Sequence, residues 1–109
     1  MNLVDSSGWL EYFADGKNAK FFTPVIEDTK KLIVSAINLY EIFKKILKEK
    51  DENSALQAIA LMQQANVVEV NASIAISAAK ISYDKNILMT DSLIYTTARL
   101  FKAIVWTQD

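Results

Sequence analysis

The sequence closes with the stretch ILMTDSLIYTTARLFKAIVWTQD, residues 87–109. Its first acid, Asp91, stands at the start of a helical run over residues 92–101. The apolar residues 103–106 then predict a buried strand, and Asp109 follows the carboxyl end of that strand. An acid at a helix start and a second acid after a strand are typical of a site at one edge of a parallel sheet.

The rest of the chain indicates the same kind of fold. Residues 3–4, 32–34 and 67–70 are apolar segments that predict three more strands. The segments between them have the three- and four-residue apolar spacing of helices. Strands that alternate with helices predict a mainly parallel sheet with right-handed crossovers. We therefore expect an α/β fold with three layers, α/β/α, around a short central sheet.

The composition limits the kinds of catalytic and metal sites that the chain can form. The chain has 109 residues, of which 51% are hydrophobic and 23% charged, as expected for one globular domain. It contains no histidine and no cysteine, which excludes an ordinary structural zinc site and a Ser-His-Asp triad. No secretory signal or membrane-length apolar run is visible, so a cytoplasmic location is expected. The net charge of −1 neither supports nor excludes a polyanionic substrate.

Four acids are expected to meet at the carboxyl edge of the sheet. Asp5 directly follows the first strand and Asp109 follows the last, while Glu41 and Asp91 lie near helix starts. In open parallel sheets the functional crevice lies beyond the carboxyl ends of the strands. Oxygen ligands without histidine or cysteine favour Mg²⁺ or Mn²⁺. The sequence therefore predicts a metal site formed by these four carboxylates.

Each acid also has a simpler explanation. Asp5 and Asp91 can stabilise helix starts through the helix dipole. Glu41 can pair with Lys45 one turn along, and Asp109 can be a solvated terminal residue. If each acid had only its own structural role, nothing would require all four to lie at the same edge of the sheet. Their joint placement therefore favours the metal site.

A receiver-like regulatory domain also has acids and Mg²⁺ at this edge. That interpretation requires paired acids after the first strand and an aspartate after a middle strand. Here Asp5 stands alone and the segment 32–34 is followed by Ser35, so a receiver-like domain is less favoured.

Other polar residues have weaker signals. Ser6 and Thr107 lie beside the two strand-end acids and are candidates to orient a metal-bound water or a phosphate oxygen. Basic residues off the apolar helix stripes are usually a solvated face, and as a functional interpretation they would contact the phosphates of a polynucleotide without reading sequence. These candidate phosphate contacts are Lys44, Lys45, Lys48 and Arg99.

Four short motifs in order carry a family resemblance. They are VDSS at residues 4–7, Glu41 early in the helix after the second strand, TDSLI with TA at residues 90–98, and WTQD at residues 106–109. Together they resemble a PIN domain, and within that family the chain is similar to the VapC-type ribonuclease toxins of toxin–antitoxin operons. The resemblance spans residues 1–109 as a single domain. Chains of this type usually continue past the last acid, so a short C-terminal tail is expected to be lacking.

The resemblance implies a Mg²⁺- or Mn²⁺-dependent endoribonuclease with Asp5, Glu41, Asp91 and Asp109 as its acidic quartet. Asp5 and Asp91 would be the main ligands of one ion, with Glu41 and Asp109 acting through water or at a second ion. It also implies a homodimer that is inhibited by a small VapB-like antitoxin, which places a basic side chain in the acidic pocket. The alternative within this family is a weakly active or inactive PIN-like module that only binds nucleic acid or protein.

Overall fold

The computed structural model describes residues 1–108, and Asp109 lies outside the described residues. The elements in chain order are β1 (Asn2–Val4), α1 (Ser6–Phe13), α2 (Ala19–Glu27), a 3-10 turn (Thr29–Lys31), β2 (Leu32–Ser35), α3 (Ala36–Glu49), α4 (Glu52–Met62), β3 (Asn66–Val68), α5 (Ala72–Lys85), α6 (Met89–Leu100) and β4 (Ile104–Trp106). No helix within residues 1–108 has the length and apolar character needed to cross a membrane.

The four strands form one parallel sheet in the order β3-β2-β1-β4. Asn2 of β1 lies opposite Leu32 on one side and Ile104 on the other. The chain runs outward from β1 through β2 to β3 and then returns to the other side of β1. The carboxyl end of β1 is therefore a point where the strand order reverses, which is where open α/β sheets place their ligand crevice.

The two faces of the sheet carry different helices. Val4, Leu32 and Val34 are buried on one face, where they pack in a cluster with residues of α1, α2, α3 and α4. Leu3 and Ile33, which alternate with them along the strands, are buried against α6 on the other face. Helix α5 packs in turn on α6. The expected three-layer α/β/α fold with a parallel central sheet is confirmed.

Residues 103–106 are predicted to form a buried strand, and the prediction that this strand is buried is wrong. The strand β4 is present, but Ile104 is 63% exposed and Val105 is 38% exposed. Among the described residues, β4 pairs only with β1, so it is an edge of the sheet. Trp106 is the better covered residue, since its ring packs 5.1 Å from that of Phe21. An apolar run alone does not distinguish a central strand from an edge strand.

The strand predicted at residues 67–70 is shorter and begins earlier, at Asn66. Its partner β2 ends at Ser35, which lies opposite Val68, and the chain turns into α3 directly afterwards. Residues 69–70 therefore have no β2 backbone to pair with.

Side-chain caps fix where the helices begin. The carboxylate of Asp51 accepts the backbone N–H of Ser54 at the start of α4. That backbone hydrogen bond, which stabilises the charged form, lowers the pKa of the Asp51 carboxyl below its usual value. Asn71 caps α5 in the same way through the N–H of Ile74. Ser35 caps α3 and forms a capping box with Asn38.

Candidate functional site

Asp5 is held firmly at the junction of β1 and α1. Its backbone N–H donates to the carbonyl of Trp106 at 3.0 Å, so it continues the ladder between β1 and β4. Its side-chain Oδ1 accepts the backbone N–H of Gly8 at 3.0 Å and the hydroxyl of Ser7 at 2.7 Å. Asp5 is thus the N-cap of α1. Both of these hydrogen bonds end on Oδ1, which leaves Oδ2 for another partner.

Glu41 comes to the same place from α3. Its Oε1 accepts the hydroxyl of Ser6, the residue after Asp5, at 2.6 Å. Glu41 is only partly exposed, as are Asp5 and Ser6. The alternative in which Glu41 pairs with Lys45 is wrong, because Lys45 instead binds Glu49 at 2.8 Å. The structure therefore brings Glu41 to the carboxyl end of β1, beside Asp5.

Asp91 lies in the first turn of α6, and its side chain is exposed. The two residues after Asp91 anchor the helix: Ser92 is buried and its hydroxyl donates to the carbonyl of Met89 at 2.7 Å, and Leu93 is also buried. Within residues 1–108, no three acidic side chains are grouped so that they could hold one metal ion. Asp91 therefore does not complete a three-carboxylate set with Asp5 and Glu41 in this structure.

The segment after β4 also reaches this edge. The side chain of Gln108 donates to the carbonyl of Ser7 at 3.3 Å and accepts from the amide of Asn18 at 3.0 Å. Thr107 is partly buried. These contacts bring residue 108 to the start of α1, next to Asp5, whereas the predicted site residue Asp109 lies outside the described residues.

A family model for the PIN domain matches residues 3–109. This chain belongs to the PIN domain family. No curated protein matches it.

Solved structures of low sequence identity share the fold of this PIN domain. A toxin–antitoxin complex from Klebsiella pneumoniae has a TM-score of 0.79 at 19% identity, covering 100% of this chain and 87% of that one. VapC20 from Mycobacterium tuberculosis, a toxin that cleaves the sarcin-ricin loop, has a TM-score of 0.82 at 15% identity, with coverage of 100% and 90%. VapBC2 from Rickettsia felis, bound to a promoter DNA fragment, has a TM-score of 0.70 at 13% identity, with coverage of 99% and 98%.

The basic residues of this PIN domain lie at different distances from the carboxylates. Lys44 stays near Tyr40, with its Nζ 5.6 Å from the ring centre. Lys48 is exposed in the last turn of α3, about 10 Å along the axis from Glu41 at 1.5 Å per residue. Arg99 is in the last turn of α6, about 12 Å along the axis from Asp91. The role of these residues, together with Lys45, in RNA binding stays a prediction.

Sequence reasoning missed part of the polar network around Glu41. Asn38 is fully buried, and its amide nitrogen donates to the hydroxyl of Ser6 at 3.0 Å. A usable signal was present in the Ser-x-x-Asn spacing of Ser35 and Asn38, which resembles a capping box. That spacing fixes the helix start but does not reveal the contact with Ser6, which lies 32 positions away in the chain.

Proposed function

We propose that this PIN domain is a Mg²⁺- or Mn²⁺-dependent endoribonuclease and the toxin of a VapBC-like toxin–antitoxin pair. The observation that carries the proposal is the hydrogen bond from Ser6 to Glu41, which brings Glu41 to the residue after Asp5 at the carboxyl end of β1. Two oxygen ligands at a strand-order reversal suit a hard divalent cation. The fold shared with VapC20, a toxin that cleaves the sarcin-ricin loop, supports RNA as the substrate class. The cytoplasmic location expected from the sequence stays a prediction.

The donor set of this site fits such an ion. Asp5 and Asp91 would be its main ligands, and Glu41 and Asp109 would act through water or at a second ion. When bound, the ion would activate a water and neutralise charge on the scissile phosphate. Gly8 and Ser7 hold Asp5 by one oxygen, so the other oxygen is available as a ligand. Asp91 is exposed, so a ligand role for its carboxylate would not disturb the core.

Cleavage of a structured RNA tests this proposal. We expect the wild-type chain to cut the RNA with Mn²⁺ or Mg²⁺ and to stop when EDTA is added. Asp5→Asn should lower the cleavage rate by about 10³-fold, because a catalytic ion contributes several kcal/mol to the transition state. Asp28→Asn, a change of the same type at an exposed acid at the C-terminal end of α2, is the matched control and should cleave as the wild type does. Equal cleavage by the wild type and Asp5→Asn would indicate a contaminating nuclease.

The second candidate function is a PIN-like module that binds RNA or protein without cutting. The absence of a three-carboxylate group within residues 1–108 favours it. RNA binding by the wild-type chain with no cleavage under either ion would support this candidate over the nuclease.

An antitoxin partner suits the groove between the α1–α2 pair and the α3–α4 pair. The groove is lined by apolar residues that include Leu10, Phe13 and Leu61. Its charged lining is mostly acidic, with Glu11, Asp15, Glu27 and Glu49 against Lys45 and Lys50. One part of the lining is Ser7 and Gln108, the neighbours of Asp5. A short segment with apolar residues and a basic side chain is complementary to this surface, as we propose for a VapB-like antitoxin.

A homodimer is supported by the exposed apolar surface of α5 and α6. The groove between these helices is lined by residues that include Val70, Ala79 and Leu93, and by Tyr83 and Met89, which are largely exposed. Exposed apolar patches of this kind often mark protein interfaces. We propose that a second copy of the chain covers this surface.

Tyr83→Glu tests the homodimer. Tyr83 is 87% exposed, so the substitution should leave the fold of one chain intact while placing a charge in the interface. We expect the dimer dissociation constant, measured by sedimentation velocity, to rise at least about tenfold because burying an unpaired charge is unfavourable. Leu56→Glu on α4, at a residue that is 53% exposed, is the control and should remain dimeric. A monomeric wild-type chain, or a Tyr83→Glu variant that still dimerises equally, would contradict the assignment.

A further inference from the structure

A chain of hydrogen bonds leads from the backbone of β2 to the carboxylate of Glu41. The backbone N–H of Ser35 donates to Oδ1 of Asn38 at 3.1 Å. Nδ2 of Asn38 donates to the hydroxyl oxygen of Ser6 at 3.0 Å, and that hydroxyl donates to Oε1 of Glu41 at 2.6 Å. Ser35 and Asn38 are both fully buried, so water does not compete with the bond between them, and the two bonds made by Ser6 are partly buried.

Each hydrogen bond in this series determines which group donates and which accepts in the next one. A backbone N–H can only donate, so it requires the oxygen of the Asn38 amide and thereby sets the orientation of that amide. The amide nitrogen can only donate, so Ser6 must accept from it. Ser6 has a single hydroxyl hydrogen, which is then directed to an acceptor, and the carboxylate of Glu41 is that acceptor.

We propose that Asn38 is a positioning residue for the metal site, which acts on Glu41 through Ser6. With Oε1 of Glu41 held by this directed hydroxyl, the long side chain is restricted to one orientation and Oε2 is left for the cation. Outer partners that orient a metal ligand in this way typically change metal affinity by 10- to 100-fold when they are removed. This inference rests on the metal site of the proposed function.

A purely structural role for Asn38 is the competing explanation. Its side chain also completes the capping box of α3, so its loss lowers stability whether or not it affects Glu41. The two roles differ in their dependence on Ser6. A capping effect is the same with or without the Ser6 hydroxyl, whereas an effect transmitted to Glu41 disappears when that hydroxyl is absent.

Mn²⁺ affinity of the full chain, measured by the electron paramagnetic resonance of free Mn²⁺, separates the two roles. We expect Asn38→Ala and Ser6→Ala each to raise the Mn²⁺ Kd about tenfold. The double variant should show no further rise beyond the larger single effect. Ser6→Thr keeps a hydroxyl at this position and should restore the Kd to within about twofold of the wild-type value.

Asn71→Ala is the matched control. Asn71 caps α5 by accepting the N–H of Ile74 at 2.9 Å, and α5 packs on α6, on the face of the sheet opposite α1 and α3. We expect Asn71→Ala to lower the melting temperature as Asn38→Ala does, while leaving the Mn²⁺ Kd unchanged.

Three results would overturn the inference. An unchanged Mn²⁺ Kd in Asn38→Ala would reduce Asn38 to a capping residue. Effects of Asn38→Ala and Ser6→Ala that multiply in the double variant would show that Asn38 does not act through Ser6. If Asn38→Ala does not fold, an unchanged Kd in Ser6→Ala alone is decisive against it.

Different results would contradict the proposed function and the role of Asn38. A wild-type chain that binds no Mn²⁺ would remove the metal site and this inference with it. Mn²⁺ binding that is lost in Asp5→Asn but unchanged in Asn38→Ala would overturn only the role of Asn38.

Discussion

Mn²⁺ should raise the melting temperature of the wild-type chain and leave that of Asp91→Asn unchanged. The structure places the carboxylates of Asp5 and Glu41 at the same end of β1, where Glu41 accepts the hydroxyl of Ser6, the residue after Asp5. Like charges held together are unfavourable without a cation, so an ion that binds only the folded chain stabilises it. At a hundred times the Kd this linkage contributes about 2.7 kcal/mol, which corresponds to a rise of roughly 10–20 °C for a domain of this size.

Asp91→Asn is the informative variant because its effect on the apo protein should be small. The side chain is exposed in the first turn of α6, so an isosteric amide leaves the core unchanged. Without a third carboxylate the chain should lose the Mn²⁺-dependent rise, as followed by circular dichroism with and without EDTA. Asp28→Asn should keep the full rise. The same rise in Asp91→Asn as in the wild type would exclude Asp91 as a ligand.

Gly8→Ala should destabilise the fold, although alanine is the better helix former. Gly8 lies in α1 between the sheet and α2, and an added Cβ would stand 2.6 Å from Cγ1 of Val4 and 2.8 Å from a ring carbon of Phe22. Both neighbours are fully buried and cannot move aside. Overpacking of this kind costs about 1–3 kcal/mol, so thermal unfolding should begin roughly 5–20 °C lower.

Gly16→Ala provides a matched control for that substitution. A Cβ at Gly16 would also come close to another group, but the neighbour is the carboxyl end of the Glu11 side chain, which can rotate away and then loses its hydrogen bond from the N–H of Asn18. The expected cost in the free energy of unfolding is therefore smaller, about 0.5–1 kcal/mol, as for the loss of one exposed hydrogen bond. Equal destabilisation by the two substitutions would show that helix propensity or backbone strain, and not core packing, decides the result.

The sequence was sufficient for the fold and for part of the site. Strands that alternate with helices predicted the parallel sheet, since the period of apolar residues is a local property. Asp5 and Glu41 could be placed together because a strand end and the following helix start share one edge of such a sheet. In the structure Glu41 accepts the hydroxyl of Ser6, the residue after Asp5, while the role of these acids as site residues stays a prediction.

The remaining features depend on long-range packing. The exposure of Ile104 and Val105 follows from the sheet order, which no local pattern of β4 encodes. Lys45 has acidic residues one turn away on both sides, and a choice of rotamer selects Glu49 over Glu41. The relay from Asn38 to Ser6 joins two helices whose approach becomes known only when the sheet is assembled.

The position of β1 between β2 and β4 also affects how the chain folds during translation. The indole of Trp106 donates to Asn2, 104 positions earlier, and the backbone of Asp5 bonds to the carbonyl of the same tryptophan. Such distant pairing is slow to form because a long loop must close first. A nascent chain without β4 lacks one wall of the pocket at Asp5. β4 must therefore leave the ribosome before the pocket can exist, so the segment before it cannot form the site alone.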